Sequence, residues 1–309
     1  MTTPSFAVLG ASGLVLSRFL ELYPKTVVSA PDISELDITD QDAILHWTKK
    51  LPQTSVVVLG AAYTDVDGAE KEKEDKSGVV YKVNVLGPQN VSLACKQHGL
   101  FLIHISTDFV FSGTQDYKGP YREDQEPVLD EENLGWYGQT KFMGEQEVQG
   151  SGAIAAILRI SYPFRSNYEL KIDFARNILF LYDQGKLYPM FSDQYLTPTF
   201  VDEAVGVIKK IGEQKLQGVF HCASSNITTP YDFATLLLRR ARGATNIVKR
   251  SSVLDFRKQF PERSLRPQYG GLDSRKTSEE LGIHFMRWEE SVDELVKQMA
   301  TSEGPVGAS

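Results

Sequence analysis

Positive charge is the first thing this chain lacks. Its 33 lysines and arginines stand against 40 aspartates and glutamates, a formal net charge of -7. A surface of that sign gains nothing from phosphate backbones or anionic membranes, so no nucleic-acid or membrane partner is expected. Cysteine is nearly absent: Cys95 and Cys222 make no disulfide framework. The five histidines are scattered and none pairs at ligand spacing, which leaves no metal cluster. No basic segment followed by a long apolar stretch opens the chain, which argues against secretion and membrane insertion. Tandem repeats and low-complexity tracts are missing too. What remains is a soluble chain of a reducing cytoplasm, suited to a small-molecule partner. Its small polar end, residues 304–309, reads as disordered.

What is present is ample. With 309 residues, 41% of them hydrophobic, the chain can bury a substantial core. Short apolar runs recur through the first half: FAVL (6–9), TVVSA (26–30), SVVVLG (55–60), FLIHIS (101–106) and IAAILRI (154–160). Helix-like stretches separate them. ITDQDAILHWTKKL can be capped by Thr39 or Asp40, and YKVNVLGPQNVSLACKQHG can be closed by Gly99. Apolar strands without alternation, separated by helices, predict a parallel sheet covered on both faces. The second half is less regular. VDEAVGVIKKI and PYDFATLLLRRAR read as helices, and GVFHCAS as one more strand of the same sheet, leaving the intervening pieces to form a smaller lobe. The mixed-charge run AEKEKEDK (69–76) reads as a solvated face.

The stretch FAVLGASGLVLSRF joins a strand to an amphipathic helix through Gly10 and Gly13, but Leu16 stands where a third glycine is expected. In a dinucleotide fold such a turn lets the backbone approach a pyrophosphate at a helix N-terminus. The bland alternative is a purely structural turn. Asp32, just beyond the second strand, also has two readings: an acceptor for an adenosine ribose that would repel a 2'-phosphate and so lean towards NADH, or a solvated turn residue.

Two segments match YxxxK. Tyr137 and Lys141 begin a credible helix, where positions i and i+4 share a face. Tyr182 and Lys186 enclose Gly185, with Pro189 just beyond, and read as surface residues. A cation beside a phenol lowers its pKa from about 10 and prepares it as a general acid for a carbonyl oxygen. Ser106 and Thr107, where a strand ends, offer hydroxyls beside it, while His104 reads as a core strand residue.

GASGLV, LDITD, GAAYTDVDGAE, VNVLGPQNVSLAC, HISTDFVFSG, PYREDQEP, YGQTKFMGE, ILRISYPF, DQYLTPTFVDEA and LRPQYGGLDSRK run in order across nearly the whole chain. Together they resemble the dTDP-4-dehydrorhamnose reductase family of extended short-chain dehydrogenases/reductases. The resemblance implies a Rossmann-like α/β fold, a doubly wound parallel sheet with a smaller, discontinuous substrate-binding lobe. Residues 1–160 and about 199–228 would form the NAD(P)-binding domain, and about 161–198 and 229–303 the sugar-nucleotide lobe. It implies a catalytic Thr107, Tyr137 and Lys141. Gly10, Ser12, Gly13 and Leu14 would line the pyrophosphate, Asp37 and Ile38 the adenine, and Ala61, Ala62 and Tyr63 the middle of the cofactor, NADPH or NADH. Thr64, Asp65, Asp108, Phe109 and Tyr162 would surround a nucleotide sugar whose 4-keto group is reduced. The family's metal-linked dimer would make the assembly a homodimer, but no acidic ligand set for that metal is found.

The interval from Thr107 to Tyr137 is long, the excess lying in DEENLGW (130–136), next to the proposed acid. Tyr162 stands where a tryptophan occurs in relatives. Two other readings share the resemblance: a non-catalytic subunit like the regulatory beta subunit of methionine adenosyltransferase, and a nucleotide-sugar epimerase or dehydratase that recycles its cofactor.

Overall fold

A computed structural model describes residues 4–302, so the tail read as disordered lies outside the described residues. Strands β1 (Phe6–Leu9), β2 (Val27–Ser29), β3 (Val56–Leu59), β4 (Phe101–Thr107), β5 (Ala155–Ile160) and β7 (Gly218–Cys222) fall on the apolar runs, whereas the two-residue β6 (Met190–Phe191) and β8 (Arg250–Ser251) lie outside them. Six of them form a parallel sheet in the order β2-β1-β3-β4-β5-β7. Every residue of β1, β3 and β4 is buried, as strands covered on both faces require. The order reverses between β1 and β3, where ligands bind in sheets of this type.

The helices are α1 (Leu14–Leu22), α2 (Gln41–Lys49), α3 (Val66–Glu70), α4 (Val79–Tyr81), α5 (Gly87–His98) and α6 (Trp136–Ser151). They continue as α7 (Phe174–Asp183), α8 (Val201–Gln214), α9 (Pro230–Arg242), α10 (Val253–Gln259), α11 (Arg275–Leu281) and α12 (Trp288–Ser302). One face of the sheet packs on α1 and α8 through Leu16, Phe19, Val205 and Ile208. The other packs on α2 and α5 through Ile44, Val91 and Cys95. A separate core gathers Phe164, Ile178, Leu179, Phe200, Phe233, Leu237, Trp288 and Leu295 from α7, α9, α12 and their neighbouring loops. The two-stranded β6-β8 sheet lies in the same part of the chain. Although α11 falls in the segment read as the smaller lobe, Leu281 and Phe285 join the core beneath the main sheet.

Local chemistry explains the element ends. Asp40, rather than Thr39, caps α2 by accepting from the Ala43 amide at 2.9 Å, and Gly99 closes α5 in the left-handed conformation, φ 65°. The helix expected over 81–99 is interrupted by a π turn, Lys82–Leu86. Pro88 has no N–H for the Asn84 carbonyl four residues earlier, which frees that carbonyl to face α6. A Cβ on Gly144 would lie 2.2 Å from it, so glycine is needed there.

The run 69–76 is only partly the solvated face expected. Its lysines 71, 73 and 76 are exposed. Glu70 and Glu72 instead accept backbone amides, Trp136 N at 3.0 Å and Val80 N at 2.9 Å, at the starts of α6 and α4. Among the described residues, no helix is long and apolar enough to cross a membrane.

Candidate active site

The glycine turn sits at the switch point. Gly10 has φ 87°, and a Cβ there would stand 2.5 Å from the Ala61 amide nitrogen at the end of β3, so both conformation and space demand glycine. Gly13 caps α1 without a side chain, and the first turn of α1 carries no acidic residue. The N-terminal amides and positive dipole end of α1 are thereby left to an anion, and the small Ala61 lies against the same turn, a setting that fits a dinucleotide pyrophosphate. Leu16 is 1% exposed and joins the core with Val8 and Ile105. It lies beside Gly60 in the core, not across the mouth of the turn.

Other expected cofactor residues land unevenly. Asp32 is exposed, and its Oδ1 accepts from Ser34 N and Ser34 Oγ at 2.7 Å and from Glu35 N at 3.2 Å. That is the turn role, one of its two readings. Asp37 does the same for Thr39, while the Ile38 side chain is buried against Gly87. Tyr63 is held through its backbone: its N–H donates to Asn84 Oδ1 at 2.9 Å, and Asn84 Nδ2 donates to Tyr63 O and to Thr140 Oγ1, both at 3.2 Å. The π turn thus places one amide where it ties the end of β3 to α6.

At the end of β4, Thr107 comes against α6. Its Oγ1 donates to Asp108 Oδ1 at 3.3 Å and accepts from Phe109 N at 3.2 Å. The buried Tyr137 phenol interacts with the same hydroxyl, which favours its ionised form against the effect of burial. Ser161 Oγ donates to Asp108 Oδ2 at 2.7 Å. Burial pushes Asp108 up to about 6, against the pull of the Ser161 and Thr107 hydrogen bonds.

Lys141 lies one helical turn beyond Tyr137. Its Nζ donates to the Ile105 carbonyl at 2.9 Å. Burial lowers it to about 8, opposed by the charge of Glu145 a further turn along. The lowered phenol pKa expected from the sequence is not found. Burial pushes Tyr137 up to about 12 and Asp108 adds to the rise, so the phenol keeps its proton at neutral pH. A protonated phenol is the form that a proton donor needs.

Phe109 packs edge-on to Tyr137 at 5.7 Å and lies 6.0 Å from Tyr162. Tyr162 adopts φ 43°, a strained conformation for a side-chain-bearing residue. Its hydroxyl accepts from Gln194 Nε2 at 3.0 Å, which fixes the ring over the site. Thr64 and Asp65 are exposed beyond β3; Thr64 Oγ1 accepts from Lys171 at 2.8 Å and Asp65 caps α3. The loop 165–173 reaches back across the glycine turn, where Tyr168 donates to the Ser12 carbonyl. The second YxxxK is not a site: Tyr182 is half-buried in the smaller core, Lys186 is exposed, and Gly185 between them is left-handed beyond the end of α7.

Several supports had no sequence signal of their own. Glu145 and Arg159 form a buried ion pair at 2.6 Å, with Arg159 Nη1 3.4 Å from His221 Nε2. Asn84, Ser161 and Glu70 depend on chain reversals that no local pattern reveals. DEENLGW packs inward through Leu134 and Trp136, 2% exposed each. Gly135 within it leaves room for Ser264, whose Oγ would lie 2.1 Å from a Cβ there.

Known proteins match this chain across nearly its whole length. A dTDP-4-dehydrorhamnose reductase of Mycolicibacterium smegmatis is 33% identical over 303 residues, covering 96% of this chain and 86% of that protein. The spore coat polysaccharide biosynthesis protein SpsK of Bacillus subtilis is 30% identical over 296 residues, covering 95% and 96%. A crystal structure of dTDP-4-dehydrorhamnose reductase from Bacillus anthracis in complex with NADP matches with a TM-score of 0.82 at 25% identity, covering 96% of this chain and 99% of that one. The family model described as the RmlD substrate binding domain matches residues 6–301. Across nearly all its length, therefore, the chain belongs to the RmlD substrate binding domain family.

Proposed function

We propose that this protein is an NAD(P)H-dependent oxidoreductase that reduces the 4-keto group of a nucleotide-linked 6-deoxyhexose, dTDP-4-dehydrorhamnose to dTDP-rhamnose. The observation that carries this is the buried, protonated Tyr137 beside the end of β4 where Thr107 sits, with Lys141 one turn away and the glycine turn at the same end of the parallel sheet. The relatives' names supply the substrate class.

In this reading Gly10, Ser12, Gly13 and Leu14 hold the pyrophosphate, Asp37 and the Ile38 backbone the adenine, and Ala61, Ala62 and Tyr63 the middle of the cofactor. A bound nicotinamide supplies the hydride. Lys141, now on the Ile105 carbonyl, would hold the nicotinamide ribose. Tyr137 gives its proton to the carbonyl oxygen, and Thr107 orients that oxygen. Phe109 and Tyr162 wall the sugar, with Thr64, Asp65 and Asp108 as polar partners. The smaller lobe, residues 161–198 and the part of 229–302 that does not pack beneath the main sheet, would cover the nucleotide. The segment Ala30–Glu35 carries Asp32 and Glu35 and no cation, so no partner for a 2'-phosphate is at hand and NADH is preferred. The two buried, unpaired cysteines suit a reducing cytoplasm.

Consumption of NADH and NADPH against a panel of nucleotide-linked 4-keto sugars tests the proposal. Net oxidation with product reduced at C4 supports it. Retained, recycled cofactor favours an epimerase or dehydratase, and cofactor binding without turnover favours the regulatory-subunit reading.

A further inference from the structure

We propose that Glu145 and Arg159 are positioning residues for Lys141: their buried ion pair clamps α6 over the Ile105 carbonyl and sets the charge around the Lys141 ammonium. The inference deepens the function proposed above, and rests on it only where Lys141 is given the nicotinamide ribose.

The face of the sheet beneath α6 is polar at its C-terminal end. Ser106, Arg159 and His221 stand in register on β4, β5 and β7 and form one row across the sheet. Above that row Lys141 and Glu145, spaced i and i+4, share a face of α6. Lys141, Glu145 and Arg159 are each 2% exposed or less. Arg159 Nη2 and Nε donate to the two carboxylate oxygens of Glu145 at 2.6 and 3.0 Å, a bidentate pair. His221 completes the anchor. Its Nδ1 lies 3.1 Å from the Tyr121 carbonyl and 3.2 Å from the Asp273 carbonyl, which can only accept. Nδ1 therefore carries the proton, and Nε2 accepts from Arg159 Nη1 at 3.4 Å. Burial lowers the imidazole to about 3 and the Arg159 charge adds to the shift, so His221 is neutral.

Buried ion pairs add little stability, because the desolvation of two charges offsets their attraction. The placement of this one has a consequence for the site. The Ile105 carbonyl that receives Lys141 adjoins Ser106, the register partner of Arg159. The pair thus ties α6 to the sheet at the point where Lys141 reaches it. Glu145 is also the charge that opposes the effect of burial on Lys141. Among the described residues, the other carboxylates on α6 and on the elements packed against it have partners of their own. Asp108 accepts from Thr107 and Ser161, Glu70 from the Trp136 amide, Asp67 from two arginines and Glu147 from Gln89. On the cationic side, His104 of β4 is kept neutral by burial and by the Lys141 charge, and Lys82 and Lys96 are exposed. Glu145 and Arg159 are therefore the charges that govern Lys141 from below.

The test is titration of Lys141 in the cofactor-free full chain by NMR of lysine labelled with carbon-13 at Cε, its signal identified by its loss in Lys141→Met. Glu145→Gln leaves the Arg159 cation unpaired and should move the titration down by about one pH unit or more. Arg159→Gln leaves the carboxylate unpaired and should move it up by a similar amount. The double variant should return it close to the wild-type value. Either folded single variant decides the matter: a titration unmoved while melting drops would make the pair a structural tie only and overturn the proposal, as would a shift of the same sign in both. NADH affinity supplies the second readout. In Glu145→Gln it should be several-fold weaker at pH 8 and unchanged at pH 6. Opposite shifts of the Lys141 signal with no alkaline loss of NADH binding in the wild type would leave the positioning pair standing and refute the role given to Lys141 in the proposed reaction.

Discussion

Leu16 occupies the space that a side chain on Gly60 would need: a Cβ on Gly60 would lie 2.5 Å from Leu16 Cδ1 and 3.3 Å from Ile105 Cδ1. The residue that breaks the three-glycine pattern after β1 is thus matched by a glycine at the end of β3. Gly60→Ala should cost about 1–3 kcal/mol through overpacking, and Leu16→Ala about 2–5 kcal/mol through a cavity. In the double variant the Gly60→Ala cost should fall by about 1 kcal/mol or more, read by denaturant unfolding. Strict additivity would show that the two positions do not constrain each other.

A pH profile should report two groups of the site. Asp108, at about 6, accepts from Thr107 on one oxygen and Ser161 on the other, and a proton on either oxygen weakens that pair of bonds, so kcat/KM should fall below about pH 6. Asp108→Asn should remove that acid limb. Lys141, lowered to about 8 by burial, loses its ammonium as pH rises through that value, so cofactor binding should weaken on the alkaline side. A profile flat from pH 5 to 9 would contradict both assignments.

Stability should carry a separate signature from Glu203, on α8 and away from the chemistry. Burial raises its carboxyl from 4.5 to about 7. The folded state therefore binds a proton that the unfolded state releases. The stabilisation is full below pH 4.5 and is lost as pH rises through about 7. Glu203→Gln keeps an acceptor for the Met286 amide, now 2.8 Å from Oε1. Relative to that variant the wild type should lose on the order of 2 kcal/mol between pH 4.5 and 7.5. A constant difference across that range would show that Glu203 is ionised throughout.

Asp32 tests the cofactor preference. If its charge repels a 2'-phosphate, Asp32→Asn should raise the NADPH-to-NADH ratio of kcat/KM a few-fold, although Asn can still accept from Ser34. An unchanged ratio would leave Asp32 only the turn role seen in its contacts with Ser34 and Glu35.

The sequence made the large sheet legible because β1, β3, β4 and β5 are buried on both faces and must be continuously apolar. Glycine chemistry revealed the turn at Gly10 and the end of α5 at Gly99. Context chose Tyr137 and Lys141 over Tyr182 and Lys186, since the two pairs share one spacing but only the second encloses a glycine with a proline just beyond. What stayed hidden depends on long-range contacts: Asn84 is aimed by a π turn, Glu70 caps a helix 66 residues away, and Ser161 meets Asp108 across two strand ends. The direction of the Tyr137 shift was missed for the same reason. Spacing tells which cation is near, but only the fold shows that burial raises the phenol and that Lys141 is turned to the Ile105 carbonyl.

The most direct test of the account is steady-state oxidation of NADH with dTDP-4-dehydrorhamnose, comparing wild type with Tyr137→Phe, with NADH binding measured on both. The account predicts rapid oxidation by the wild type, and a loss of about 10²–10⁴-fold in kcat for the variant at nearly unchanged NADH affinity. Near-normal turnover by Tyr137→Phe, or a wild type that binds NADH and oxidises none, would contradict it.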